Sequence, residues 1–126
     1  MAPGLTRIAS GLHQRRNLMS TEALEKMLAK GMDNALLRFG LGKAHLDGGN
    51  AAQAAEHLQR CVEFDPGYSA AWKLLGKALQ AEGNAEAARQ AWQQGLKAAQ
   101  AKGDKQAEKE MSVFLRKLDK PESNRG

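Results

Sequence analysis

From Ala35 to Lys102 the apolar residues recur every three or four positions, the spacing of one face of an α-helix, and nowhere alternate as in a half-buried strand. Leu37, Leu41 and Ala44, with His45, mark a first helix, and Leu58, Cys61, Val62 and Phe64 a second. Trp72, Leu75, Ala78 and Leu79 mark a third; Trp92, Gly95 and Leu96 mark a fourth. Alanine is abundant here and Val62 is the only β-branched residue between Ala44 and Ala101, so propensity agrees with the pattern. Two flanking helices are predicted as well. Ser20 or Thr21 can cap a short one through Lys30, stopped at Gly31, with Leu24, Met27 and Leu28 on one face. Asp104 can cap another, to about Leu118, with Ala107, Met111, Phe114, Leu115 and Leu118 inward and Lys105, Glu108, Lys109 and Arg116 in water.

The four central helices are two copies of one unit. A displacement of 34 residues superposes Leu41-Gly42-Lys43-Ala44 on Leu75-Gly76-Lys77-Ala78, and Gly49-Asn50-Ala51 on Gly83-Asn84-Ala85. Ala54 falls on Ala88 and Gln59 on Gln93, more agreement than an alanine-rich composition explains. The Gly-Lys pairs are therefore not phosphate loops: such a loop has no reason to recur at a fixed step, and Ala44 and Ala78 stand where a magnesium-holding Ser or Thr is needed. In each copy a helix should end at Gly49 or Gly83 in the left-handed conformation, and Asn50 or Asn84 should cap the next. Gly42 and Gly76 lie mid-helix, where glycine costs about 1 kcal/mol relative to alanine, so a close helix approach is expected there, with Ala54 and Ala88 as the facing residues.

A 34-residue helix pair carrying Trp72, Leu75, Gly76, Gly83, Ala88 and Trp92, with Asp65-Pro66 closing the first copy, resembles the tetratricopeptide repeat family. The resemblance covers residues 35–68 and 69–102 and implies an all-α fold, antiparallel helix pairs stacked as a short solenoid. Within it, residues 20–30 take the register of the second helix of an earlier repeat, and residues 104–118 that of a terminal capping helix. The repeat domain is thus expected over 20–119, between a basic disordered tail at 1–19 and a second tail at 120–126. Four positions depart from the family pattern: Arg38 replaces a bulky aromatic, His45 a tyrosine, Gly95 an alanine and Gln100 the closing proline. Arg38 suggests that the first copy lacks a full preceding neighbour, and Gln100 frees the last repeat helix to run on toward Gly103.

The resemblance also implies a function, a protein-interaction module that acts as scaffold or adaptor, or in a co-chaperone-like role. First helices of this family line a groove for an extended peptide or a partner helix. Its inward positions here are Leu36, Phe39, Lys43 and Leu46 in the first copy, and Ala70, Lys73, Lys77 and Gln80 in the second, an apolar end beside a basic one. Three lysines would favour an acidic segment or a chain-terminal carboxylate, with Phe39 as apolar anchor. The asparagines that clamp chaperone tails are absent, with Lys43 and Leu74 at the corresponding places. The alternative is a structural protein that self-associates through its repeat ends or the Phe114 side of its last helix; a homo-oligomer is left open.

Charge and composition narrow the classes. Of the formal net charge of +5, three units come from Arg7, Arg15 and Arg16 in an acid-free opening, so the body is a mixed-sign surface and no phosphate-tracking stripe; no nucleic acid is expected. No apolar run approaches a membrane span. Cys61 is the only cysteine, which points to a reducing, cytoplasmic setting. Leu5, Ile8 and Leu12 among arginines leave an organelle transit peptide as the lesser alternative to a tail or a start-site effect at Met19. No catalytic residue and no cofactor are expected. His57 and Cys61, one turn apart, are half a metal site at most, because Cys61 holds a core position, and no metal is expected.

Overall fold

The computed structural model describes residues 21–119, all helices and connecting turns. Both tails, with the transit-peptide and start-site readings, lie outside the described residues. Residues 21–29 form helix α1. It is followed by α2 (Ala35–Asp47), α3 (Ala51–Phe64), α4 (Ser69–Ala81), α5 (Ala85–Lys102) and α6 (Lys105–Leu118). Each helix packs on the next, as short turns between amphipathic helices require. In addition α2 touches α4 and α4 touches α6, whereas α3 and α5 make no comparable contact, so the stack curves with α2, α4 and α6 on its inner side.

The stops are those the glycines dictate. Gly31, Gly49, Gly83 and Gly103 all have positive φ, a region that costs other residues a Cβ clash. At Gly49 and Gly83 the following asparagine N–H returns to the carbonyl of His45 or Leu79, at 2.8 and 2.9 Å, the bond that closes a left-handed helix end. Asn34, Asn84 and Asp104 then accept bonds from the first-turn amides of α2, α5 and α6. Asn50 holds the same place before α3 but its side chain makes no capping bond, which departs from the expectation. Without a proline at residue 100, α5 runs for 18 residues to Lys102.

The core follows the predicted stripes. Leu41, Leu58, Cys61, Ala54, Ala78 and Ala88 are fully buried, and Trp92 is 1% exposed. One correction concerns the mid-helix glycines. A Cβ at Gly42 would sit 2.4 Å from Leu58 Cγ, and one at Gly76 would sit 2.1 Å from Trp92 Nε1. The residue that fills the glycine's space is therefore a large one, a full turn beyond Ala54 or Ala88. Glycine here serves as the socket for a knob; the alanines line the same stripe beside it. Gly95 repeats the device one layer on, since its Cβ would strike Met111 Sδ and Trp72 Cβ. Phe64, placed in the core by the pattern, is 46% exposed with the Arg60 guanidinium 5.4 Å over its ring: two residues past Val62 is the far side of a helix.

Candidate functional site

The residues expected to line the groove, an apolar end beside a basic one, lie along α2 and α4 on the inner side. Leu36 is 72% exposed at the start of α2. Phe39 is half-buried and stacks on Tyr68, ring centroids 4.8 Å apart, so part of the anchor is already used within the chain. Leu46, Lys77 and Gln80 converge, with Asp47, Leu74 and Ala81, around a hollow of about 520 Å³ between the last turns of α2 and α4. Leu46 and Leu74 give it an apolar lining, and Lys77 and Asp47 bring one charge of each sign.

The lysines have separate fates. Lys73 Nζ bonds Glu110 Oε1 of α6 at 2.6 Å, with the two side chains only 25% and 34% exposed. That pairing is the main reason the Glu110 carboxyl is held below its usual range, helped by a bond from Gln106. Lys77 Nζ lies 4.8 Å over the Phe114 ring, a cation–π contact, and has no carboxylate partner among the described residues. Lys43 makes an exposed 3.4 Å pair with Asp47, one of a kind worth little in water. Glu110 and Phe114 are thus part of the inner face, and sequence reasoning missed the role of both. The signal available was the inward stripe of α6, which the sequence reads as a cap and, at Phe114, as a surface for self-association. Ser69 and Asp104 fix this arrangement: the Ser69 hydroxyl donates to Asp104 Oδ2 at 2.8 Å, tying the start of α4 to the cap of α6.

A second cluster sits at the seam of α1, α2 and α3. Arg38 donates two hydrogen bonds to Asp33, at 2.7 and 3.0 Å, and a third to His57 Nδ1 at 3.0 Å. The His57 ring stacks on that of His45, whose Nε2 meets Glu25 Oε2 at 3.1 Å. Arg38, standing where the family pattern has a bulky aromatic, is thus held by Asp33 and His57, with its side chain only 14% exposed. One ligand-type atom from each of Glu25, His45 and His57 lies within 4.8 Å of the others. The imidazole planes are nearly parallel, at 11°, so their in-plane lone pairs do not converge, and Arg38 engages one ring nitrogen of His57. The cluster reads as a hydrogen-bonded seam. Burial, then the neighbouring Arg38 charge, pushes the His57 pKa down. Cys61 is also spoken for: buried, its thiol donates to the Ala35 carbonyl at 3.2 Å, and burial pushes its pKa up to about 11. No described helix is long and apolar enough to cross a membrane.

Stacked antiparallel helix pairs at a 34-residue step, closed by a terminal helix, define a short helical-repeat solenoid whose inner side is built from first helices. Two family models described as tetratricopeptide repeat match the chain, over residues 20–69 and 45–108. TPR repeat-containing protein PA0015 of Pseudomonas aeruginosa is 74% identical over 102 residues, 81% of this chain and 97% of that protein. The chain belongs to the tetratricopeptide repeat family. Among solved structures it is similar to protein BPP2914 of Bordetella parapertussis, with TM-score 0.70, 52% identity, and 82% of this chain and 93% of that one covered. The Sgt2 TPR domain of Aspergillus fumigatus, at TM-score 0.66 and 20% identity over 96% and 79% of the two chains, shares the fold. Proteins of this family are generally non-enzymatic modules for protein–protein interaction.

Proposed function

We propose that the chain is a non-catalytic adaptor that holds a partner peptide on the inner face, inserting an apolar side chain between Leu46 and Leu74 and setting an acidic neighbour against Lys77 and Lys43. The observation that carries this is the hollow of about 520 Å³ at the ends of α2 and α4, apolar in its lining and rimmed by a lysine that no carboxylate of the described residues neutralises. A desolvated apolar anchor supplies most of the affinity in such contacts, while charge selects the partner and its approach. Lys73 contributes less than the spacing implied, because Glu110 already holds it. Leu36 and the open edge of Phe39 extend the apolar track toward the start of α2. A lone, inert thiol suits a reducing compartment such as the cytoplasm.

Peptides with a central Leu or Phe and acidic, neutral or basic flanks, titrated by fluorescence anisotropy at low and high salt, test the reading. Acidic flanks should bind best, weaken with salt, and lose their advantage with the Lys43→Glu, Lys77→Glu pair, which spares the Lys73–Glu110 bond. Binding indifferent to flank charge, or unchanged in the double variant, refutes the assignment.

A further inference from the structure

The two ends of the stack are unlike halves of one repeat. Helix α1 carries a second-helix pattern: Leu24, Met27 and Leu28 stand 34 residues before Leu58, Cys61 and Val62. Within their repeat, the latter three are 0%, 0% and 2% exposed, because α2 covers them: Leu58 fills the space beside Gly42 and Cys61 meets the Ala35 carbonyl. In α1 the described residues offer no preceding first helix; Leu24 and Leu28 are only half-buried, and Met27 is 39% exposed. Nearby Met32 is 48% exposed. Helix α6 shows the converse. Aligned by the caps Asn34, Tyr68 and Asp104, Met111 corresponds to Leu41 and Leu75, Ser112 to Gly42 and Gly76, and Leu115 to His45 and Leu79. Met111 is buried against Gly95, as a first helix must be on its predecessor, but Ser112 remains partly open where Gly42 and Gly76 are closed over by Leu58 and Trp92. The small residue is present, and no following helix among the described residues supplies its knob.

We infer that copies of this chain join head to tail, α6 of one lying antiparallel on α1 of the next, with Leu24 seated on Ser112 of the neighbouring copy and Met27 covered by the start of that α6. The seam would rebuild, across two molecules, the helix pair that Gly42 and Leu58 make within one. Charge agrees at the other end of the pair. Antiparallel packing brings Arg116 and Lys117, both exposed in the last turn of α6, beside the exposed Glu22 in the first turn of α1. Because the two surfaces differ, the contact is heterologous, and a dimer still carries one unused end of each kind, so growth continues past two copies.

Sedimentation velocity of the full chain over a concentration series tests this. The expected result is a mean mass that climbs past two copies with concentration. Met27→Glu spoils one end and Leu115→Glu the other, so each alone should stay monomeric, while an equimolar mixture should form a dimer and stop. If Leu115→Glu loses helical circular dichroism, Ser112→Arg, at a partly open site, takes its place. A wild-type monomer at every concentration overturns the inference. So does association by either single variant, the mark of a symmetric contact between like ends.

Discussion

The two repeats share a register and solve the same packing problem with different chemistry. In the first, Gly42 receives the flexible Leu58, and the seam toward α1 is polar, made of Arg38, His57, His45 and Glu25. In the second, Gly76 receives the rigid indole of Trp92, whose Nε1 donates to the Lys73 carbonyl at 3.0 Å and whose ring meets Phe114 at 5.0 Å. The difference teaches that the repeat fixes where a socket falls and leaves its depth and polarity free. The first repeat gains a titratable seam, the second a tightly specified one.

The largest effect should come from removing the knobs. Trp92→Ala should destabilise the fold by about 4 kcal/mol and Leu58→Ala by about 3 kcal/mol, from lost burial plus the cavity left behind. Urea melts followed by circular dichroism would give both; equal costs would say that the indole adds nothing beyond bulk. Filling the sockets comes next. Gly76→Ala meets an indole held by its own hydrogen bond and should cost about 2 kcal/mol net of the helix propensity that alanine restores. Gly42→Ala meets a leucine that can turn aside, and should cost about 1 kcal/mol or less. A reversal of that order in thermal melts would break the distinction between rigid and flexible knobs.

Smaller still is the pH dependence of the first repeat. His57 is held neutral in the folded chain, its pKa below the ordinary 6.5, so the unfolded chain takes up that proton first. The contribution is present above pH 6.5 and lost as pH falls from there to the folded value. Asp33, held below its usual range chiefly by the bond from Arg38, adds a loss in the same direction at lower pH, as protonation passes through the carboxylate range. His57→Gln should flatten the upper part of the stability–pH curve and leave the lower part. A variant curve parallel to wild type between pH 7 and about pH 5 would remove His57 from the account. Cys61 should resist alkylation at neutral pH until denaturant is added, as thiol-modification rates would show; rapid labelling of the folded chain would mean that the α2–α3 seam opens readily.

Much of the fold was legible because a repeated unit prints its register twice: the Gly-Asn stops, the paired mid-helix glycines and the stripes through Leu41 and Leu75 stand at one spacing. What the alignment could not show was which residue fills a socket. Ala54 and Leu58 lie one turn apart on the same stripe, and only the relative height of the two helices selects Leu58. The inner face was legible by position alone. That Leu46, Lys77 and Gln80 border one hollow follows from their spacing on α2 and α4, but the company of the lysines does not. Glu110 and Phe114 each lie 37 residues beyond the lysine they meet, and the placement of α6 depends on Ser69 reaching Asp104. The Arg38–His57 bond was hidden for a like reason. Arg38 stands out as an anomaly only against the family pattern, and its partner is 19 residues away on another helix.

Both tryptophans of the chain belong to the second repeat, one wholly enclosed and one half-covered, whereas the first repeat holds none. Ultraviolet emission excited at the indole band will follow only the C-terminal half of the solenoid, and far-ultraviolet ellipticity follows every helix. The molecule thus carries its own one-sided lamp: if unravelling begins at α1, the two signals part company without any label being added.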